Sequence, residues 1–168
     1  DASAFTGDSL TVEADEADSG VTVTTGSEAL DARVGDGANT ITGTTGDDTI
    51  TTGSGADTIV SYGGDDTIEG GDGVNTITVT DGENDIDGGE GVDTITAGNG
   101  NNTIDGGDGA DVIVSGTGNN TITNSAGNAT ITAGTGDNTV TNTAGNSTIT
   151  LGNGANTVNL TAGNSTVV

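Results

Sequence analysis

The feature that most constrains this chain is an uninterrupted nine-residue period. From Val34 to Val168 the sequence divides into fifteen nonapeptide blocks without insertion or deletion. The fourth position is Gly and the eighth is Ile or Val in all fifteen blocks, and the seventh is Thr in thirteen. A short period repeated this often predicts a solenoid, in which each copy buries its apolar residue against its neighbours.

Each block predicts a turn followed by a short strand with one inward apolar residue. Glycines supply the tight turn, and the Thr-Ile-Thr triplet has high β-propensity and alternates between two faces. From Ser115 onward two kinds of block alternate, so the true repeat there is eighteen residues. We therefore predict an all-β fold, a right-handed parallel β-roll or β-solenoid with two nonapeptide blocks, eighteen residues, in each turn.

The composition excludes several classes of function. The chain has no His and no Cys, which removes zinc fingers, iron–sulfur clusters and catalysis by thiol or imidazole. Arg33 is the single basic residue, so nucleic-acid binding is not expected, and no apolar run is long enough for a membrane span. Adjacent acids such as Asp47 and Asp48 recur with the repeat instead of forming one cleft. We predict that the chain is not an enzyme.

The charge of the chain requires compensation. The formal net charge is −25, and identical loops stacked turn upon turn bring like charges together. With one buried aliphatic residue in nine, the hydrophobic stabilisation is small compared with that repulsion and with the entropy cost of ordering the chain. Loops rich in oxygen, without nitrogen or sulfur ligands, favour a hard cation as the missing component.

The blocks resemble the RTX nonapeptide, G-G-x-G-x-D-x-U-x with U aliphatic, a repeat that forms a calcium-bound parallel β-roll. The resemblance covers residues 34–168 and is clearest in GGDGADVIV (106–114) and GGEGVDTIT (88–96). It implies several Ca²⁺ ions between the loops of successive turns, bound by main-chain carbonyls and by the sixth-position Asp. Carried over residue by residue, those positions hold Asp48, Asp57, Asp66, Asp93 and Asp111, and, with a neutral oxygen that implies a weaker site, Asn39, Asn75, Asn84 and Asn102.

The distribution of acids divides the chain into parts. Residues 1–33 lack the motif and predict an N-terminal cap or degenerate turns, with Phe5, Leu10 and Leu30 as candidates to close the core. Residues 34–114 contain seventeen acids and predict the calcium-binding part, whereas residues 115–168 contain one and predict an ion-poor part rich in Asn and Thr. In that last part stacked amides can hydrogen-bond along two columns, Asn120, Asn138 and Asn156, and Asn128, Asn146 and Asn164.

The two outer faces differ in charge. If positions seven and nine point outward, the odd-numbered blocks present an uncharged Thr/Val face, and the even-numbered blocks place Glu69, Asp85, Asp87 and Asp105 on the other. Thr is common on exposed strands, which alone accounts for such a face. The uncharged face could also pack against another chain, or order water as in ice-binding proteins, which it resembles in its Thr-x-Thr pattern.

These observations lead to an extracellular or cell-surface function. Weak, repeated Ca²⁺ sites fill where calcium is millimolar, outside the cell. We expect a structural segment of an adhesin, surface layer or extracellular filament. Its expected partners are calcium ions and copies of itself or other surface proteins, through the open C-terminal rung or the uncharged Thr face. The alternatives are an ice-binding module and the secretion or folding module of a secreted enzyme.

Overall fold

The Thr-Ile-Thr triplets form short parallel strands that stack in two sheets. The computed structural model describes residues 9–14, 20–24 and 26–168. In these ranges it contains eighteen strands and no helix, wound as a solenoid of about eight turns with about eighteen residues per turn. The predicted all-β solenoid with two blocks per turn is confirmed. No helix in the described ranges could cross a bilayer.

The strands alternate between the sheets because each nonapeptide supplies one strand and each turn contains two. The nine odd-numbered strands form sheet A and the nine even-numbered strands form sheet B. Within a sheet, each strand pairs with the strands numbered two lower and two higher. In chain order they are β1 (Ser9–Ala14), β2 (Thr22–Thr24), β3 (Ala29–Val34), β4 (Thr40–Thr42), β5 (Thr49–Thr51), β6 (Thr58–Ser61), β7 (Thr67–Glu69), β8 (Thr76–Asp81), β9 (Asp85–Asp87), β10 (Thr94–Asn99), β11 (Thr103–Asp105), β12 (Val112–Ser115), β13 (Thr121–Asn124), β14 (Thr130–Ala133), β15 (Thr139–Asn142), β16 (Thr148–Leu151), β17 (Thr157–Leu160) and β18 (Thr166–Val167).

Strand pairing keeps equivalent residues of successive turns directly above one another. In sheet B, Ile95 pairs with Ile77 on one side and Ile113 on the other, each eighteen residues away. Sheet A repeats this register, with Ile104 between Ile86 and Ile122. Since every position forms a column along the solenoid, a residue at a given position of the repeat meets the same neighbours turn after turn.

The register extends further toward the N-terminus than the motif does. Val23 in β2 pairs with Ile41, and Ala32 in β3 pairs with Ile50, both at a spacing of eighteen. β1 is the exception to this spacing: its Leu10 pairs with Leu30, twenty residues later. Leu30 is buried and Leu10 packs half-buried against the core, whereas Phe5 lies outside the described residues.

The core contains more inward positions than the sequence analysis assigned. The eighth-position aliphatic side chains are buried as predicted, from Ile41 to Ile149. The sixth position and the first position of the following block also face inward, as at Val79 and Ala97. The expectation of one inward apolar residue per block was wrong for the blocks that begin with Val79, Ala97 and Ala133, because alternate residues of a strand point to the same side and the strand continues past the triplet.

The invariant fourth-position glycine is explained by the close stacking of turns. Gly91 has a φ of 140°, which side-chain-bearing residues rarely adopt, and a Cβ built on it would collide with the carbonyl oxygen of Gly73, one turn earlier. The fourth position therefore has no room for a side chain.

We expect Gly91→Ala to lower the free energy of unfolding by about 1–3 kcal/mol through backbone strain, with the steric collision adding to that loss. Gly26→Ala is the matched control, because a Cβ there has no atom within 4 Å. Urea unfolding followed by circular dichroism measures both variants. Equal midpoints for the two would contradict this account of the turn.

Candidate metal centre

The sixth-position side chains form two columns inside the solenoid, one preceding each sheet. They are buried because positions six and eight of a block lie on the same side of the chain. All nine predicted ligands are at most 2% exposed. The column before sheet B consists of Val21, Asn39, Asp57, Asn75, Asp93, Asp111, Ala129, Ser147 and Ser165, and the column before sheet A of Leu30, Asp48, Asp66, Asn84, Asn102, Asn120, Asn138 and Asn156.

Asp and Asn at the sixth position make the same first hydrogen bond. In each of the nine predicted ligands Oδ1 accepts a main-chain N–H from the residue eighteen positions earlier, over 2.7 to 3.1 Å. The Asp93 N–H, for example, donates to Asp111 Oδ1 over 2.9 Å. This bond joins one turn to the next and is insensitive to whether the acceptor is a carboxylate or an amide.

The second polar atom separates the two residue types. In Asn39 the amide Nδ2 donates to the carbonyl oxygens of Gly35 and Gly37, over 3.1 and 2.9 Å. Asn102 repeats this with Gly98 and Gly100, over 3.2 and 3.3 Å. An Asn at position six thus satisfies both its own amide and the carbonyls of its turn.

An Asp at the same position has an oxygen where Asn has this donor. The Oδ2 atoms of four predicted ligands are buried without a hydrogen-bond partner: Asp57, Asp66, Asp93 and Asp111. A Cβ built on Gly88 would lie 2.9 Å from Asp93 Oδ2, 3.0 Å from the Gly106 carbonyl oxygen and 3.2 Å from the Ile95 Cδ1 methyl, so both oxygens border the same space. Buried oxygens without a donor are unfavourable unless a cation, a proton or a water molecule serves them.

Three of the buried carboxyls, those of Asp66, Asp93 and Asp111, have raised pKa values. Burial is the main cause that raises the pKa of Asp66 and Asp93 to about 6 each, and neighbouring carboxylates add to it, Asp111 beside Asp93 and Asp48 beside Asp66. Burial also raises the pKa of Asp111. In each case a main-chain N–H acts in the opposite direction without cancelling the shift. At Asp66 the nearby Ser61 hydroxyl, whose hydrogen bond goes to Asp48 Oδ2, also lowers the pKa.

Asp48 differs from the other four aspartates. Its Oδ2 accepts from the Thr44 N–H over 2.7 Å and from the Ser61 hydroxyl over 2.9 Å. Its Oδ1 accepts from the Thr44 hydroxyl over 2.8 Å as well as from the Leu30 N–H. Asp48 is therefore fully satisfied by protein donors.

A metal at the unpartnered aspartates would rely on main-chain oxygens. Among the described residues no three carboxylates, imidazoles or thiols come together as a metal cluster. One carboxylate with carbonyl oxygens is a donor set that suits a hard cation such as Ca²⁺. The buried, unpartnered Oδ2 atoms and the neighbouring carbonyl oxygens fit such an ion.

A family model of four copies of the RTX calcium-binding nonapeptide repeat matches most of the chain, at residues 34–68, 60–95, 87–122, 123–141 and 132–167. The chain belongs to the RTX calcium-binding repeat family. The RTX repeat is a structural calcium-binding unit, typical of secreted proteins. No curated protein and no solved structure was found to match the chain.

The last part of this RTX array replaces carboxylates with amide ladders. Along the column before sheet A, Asn120 Nδ2 donates to Asn138 Oδ1 over 3.0 Å, and Asn138 Nδ2 donates to Asn156 Oδ1 over 3.1 Å. The predicted amide column is confirmed. It begins earlier than expected, since Asn84 and Asn102, two predicted ligands, are joined in the same way.

The second predicted amide column also forms, but on the surface. Asn128 Oδ1 accepts the Asn146 N–H over 2.8 Å, and Asn146 Oδ1 accepts the Asn164 N–H over 2.7 Å. Inside the solenoid, where the sixth position becomes Ala129, the buried amides move to the first position, at Asn124 and Asn142. The sequence analysis missed these because the inward direction of position one was not recognised.

The acidic face of the RTX roll has its own repulsion. Glu69, Asp87 and Asp105 are register partners on sheet A and line one shallow groove with Asp85. Partial burial, with Asp105 and Glu69 alongside, raises the pKa of Asp87. On sheet B the seventh and ninth positions from Thr40 onward carry no charge.

Without calcium, we expect the buried carboxyls to make the protein less stable as pH rises. Because the pKa values of Asp66 and Asp93 are raised to about 6, from 3.8, the folded state binds more protons than the unfolded state between these values. Stability from this source is present below about pH 4 and is lost by about pH 6.

Circular dichroism in chelator, followed from pH 4.5 to pH 7, tests this expectation, because the β signal of the natural chain should fall as the pH rises. The variant Asp66→Asn/Asp93→Asn is the control, because its amides cannot ionise, and it should show a smaller decline. An identical decline in both proteins would mean that the surface acids alone set the pH dependence.

Proposed function

We propose that the chain is a non-catalytic, extracellular structural β-roll whose acidic part is held together by Ca²⁺ at Asp57, Asp66, Asp93 and Asp111. The observation that carries this proposal is the set of four buried Oδ2 atoms without partners. A carboxylate in this position repels the carbonyl oxygens of its turn, and a cation converts that repulsion into coordination. Calcium supplies the positive charge, while the chain supplies and orients the oxygens.

The neutral positions need no ion under this proposal. In Asn39, Asn75, Asn84 and Asn102 the amide Nδ2 already donates to turn carbonyls. Asp48 is satisfied by Thr44 and Ser61. We therefore narrow the calcium ligands from nine predicted residues to four aspartates.

The charge of the chain supports an extracellular setting. At −25, with seventeen of the acids between residues 34 and 114, the acidic turns repel one another without bound cations. Extracellular modules of low affinity bind calcium at about 10⁻⁴–10⁻³ M. A chain of this kind would be expanded where calcium is scarce and would become compact outside the cell.

We expect the fourfold variant Asp57→Asn/Asp66→Asn/Asp93→Asn/Asp111→Asn to keep its β-structure in chelator, because each amide would close its own turn. The natural chain should lose β signal in chelator. Hydrogen exchange should locate this loss of structure in residues 34–114. Circular dichroism and calorimetric titration with Ca²⁺ measure the two effects.

Asp48→Asn is the matched control for this experiment. It breaks hydrogen bonds with Thr44 and Ser61, so it should lower stability while the number of bound ions stays the same. Natural protein that is equally structured and binds no Ca²⁺ would overturn the proposal.

The structural role is proposed to be that of a stiff segment in an adhesin, surface layer or extracellular filament. Nine-stranded parallel sheets with a constant register give an elongated body, and the uncharged face of sheet B offers a surface for a second chain. Negative-stain microscopy and sedimentation with calcium test self-association. Monomers alone under both calcium-free and calcium-loaded conditions would count against a filament.

An ice-binding module is the second candidate, because sheet B presents pairs of threonines on several of its strands. Thr76, Thr94 and Thr148 stand at the seventh position, with Thr78, Thr96 and Thr150 two residues on, and adjacent strands are about 4.8 Å apart. Val112 and Val114 of β12 interrupt this array, whose seventh and ninth positions carry no charge.

Thr94→Tyr would disrupt this array and should abolish thermal hysteresis if sheet B binds ice. Thr121→Tyr, at the equivalent position of sheet A, is the control and should leave it unchanged. Absence of ice-crystal shaping by the natural protein would remove this candidate.

A further inference from the structure

The boundary between the carboxylate turns and the amide turns contains an arrangement that the nonapeptide motif does not supply. Asp111 is the last carboxylate of its column, and the next sixth position is Ala129. The first position, Gly88 and Gly106 in the two preceding turns, becomes Asn124 above Asp111. A buried amide therefore stands where the motif has no side chain.

The hydrogen bonds of Asn124 fix which way its amide points. Its Nδ2 donates to the Ala126 carbonyl oxygen and to Asn142 Oδ1, both over 3.2 Å. Its Oδ1 is buried and has no partner. Turning the amide over would forfeit both donated bonds, so the unpartnered atom is the oxygen.

This oxygen and that of Asp111 border the same space. A Cβ built on Gly106 would lie 2.8 Å from the Ile113 Cδ1 methyl, 3.1 Å from Asp111 Oδ2 and 3.2 Å from Asn124 Oδ1. Both residues are fully buried, and neither oxygen has a hydrogen-bond partner. Two buried acceptors without a donor call for a cation, a proton or a donating water molecule near both.

Asn142, one turn further, is the internal comparison. Its Oδ1 accepts from Asn124 Nδ2 and from the Ser147 hydroxyl, over 3.2 and 3.0 Å. The same residue type in the same column is thus satisfied when it does not adjoin a carboxylate. The unpartnered oxygen is particular to Asn124.

We propose that Asn124 is a side-chain ligand of the last calcium site, which it shares with Asp111. An amide oxygen and a carboxylate oxygen are both hard donors that suit Ca²⁺. This inference rests on the proposed calcium-binding function and adds to it a ligand at position one. It also joins the ion to the amide ladder, because the other end of the Asn124 amide is bound to Asn142.

The test counts calcium ions by calorimetric titration of the full chain. Asn124→Ala should bind one ion fewer than the natural protein, or bind one at least about tenfold more weakly. Asp111→Asn should lose the same ion, and the double variant should lose no second one. Asn138→Ala removes a buried amide of the other column, which makes no hydrogen bond to Asp111 or Asn124, and should leave the ion count unchanged.

Asn124→Asp is a second variant that keeps the size of the side chain. The added negative charge should tighten one calcium site by about tenfold, since affinity rises with ligand charge. Unchanged ion number and affinities in both Asn124 variants would overturn the inference while leaving calcium binding intact. Natural protein that binds no calcium would instead overturn the proposed function on which it rests.

A buried water molecule or a proton between the two oxygens is the competing explanation. The ion count of the Asn124 variants distinguishes calcium from water, and carbon NMR of the Asp111 carboxyl in saturating Ca²⁺ distinguishes calcium from a proton. A carboxylate that stays ionised across pH 5 to 7 supports the shared site, and one that still takes up a proton in this range contradicts it.

Discussion

The hydrogen bond from a main-chain N–H to the sixth-position oxygen of the next turn is the interaction on which this structure depends. It joins Val21 to Asn39, Asn39 to Asp57, and so on along one column, and Leu30 to Asp48 along the other. To make it, the side chain must point inward, where its second polar atom is shielded from bulk solvent. An Asp or Asn there therefore forms one hydrogen bond and leaves a second buried polar atom that needs a partner.

Asp and Asn have nearly the same shape but differ in whether this second polar atom is a hydrogen-bond acceptor or a donor. The Asn amide donates to the carbonyls of its own turn, as in Asn39, and needs nothing further. The Asp carboxylate presents a second acceptor to the same surroundings, as in Asp93. Asp48 needs no further partner because Thr44 and Ser61 donate hydrogen bonds to its second oxygen. The exchange of one oxygen for one NH₂ group separates turns that are complete by themselves from turns that need a cation.

The periodicity of the sequence was sufficient to predict the two sheets, their register and the amide column through Asn138, because each follows from stacking identical units. It could not single out Asp48, whose donors come from Thr44 in its own block and from Ser61, which opens the second block after it. It also missed the inward first position, since Gly, Ser, Val and Asn all occur there and no apolar pattern is visible. The early strands β2 and β3 keep the register without the glycines, because a few alternating aliphatic residues suffice to pair a strand.

The two-block turn also restricts how such an array can change length over evolution. Gain or loss of a single nonapeptide would move every later block to the opposite sheet, so that such a change before Asp87 would place Asp87 and Asp105 on the face where Thr78 and Thr96 now stand. Only duplications or deletions in multiples of eighteen residues preserve the segregation of the faces. The unit that can be duplicated or deleted without disturbing the two faces is thus eighteen residues, twice the length of the nonapeptide motif.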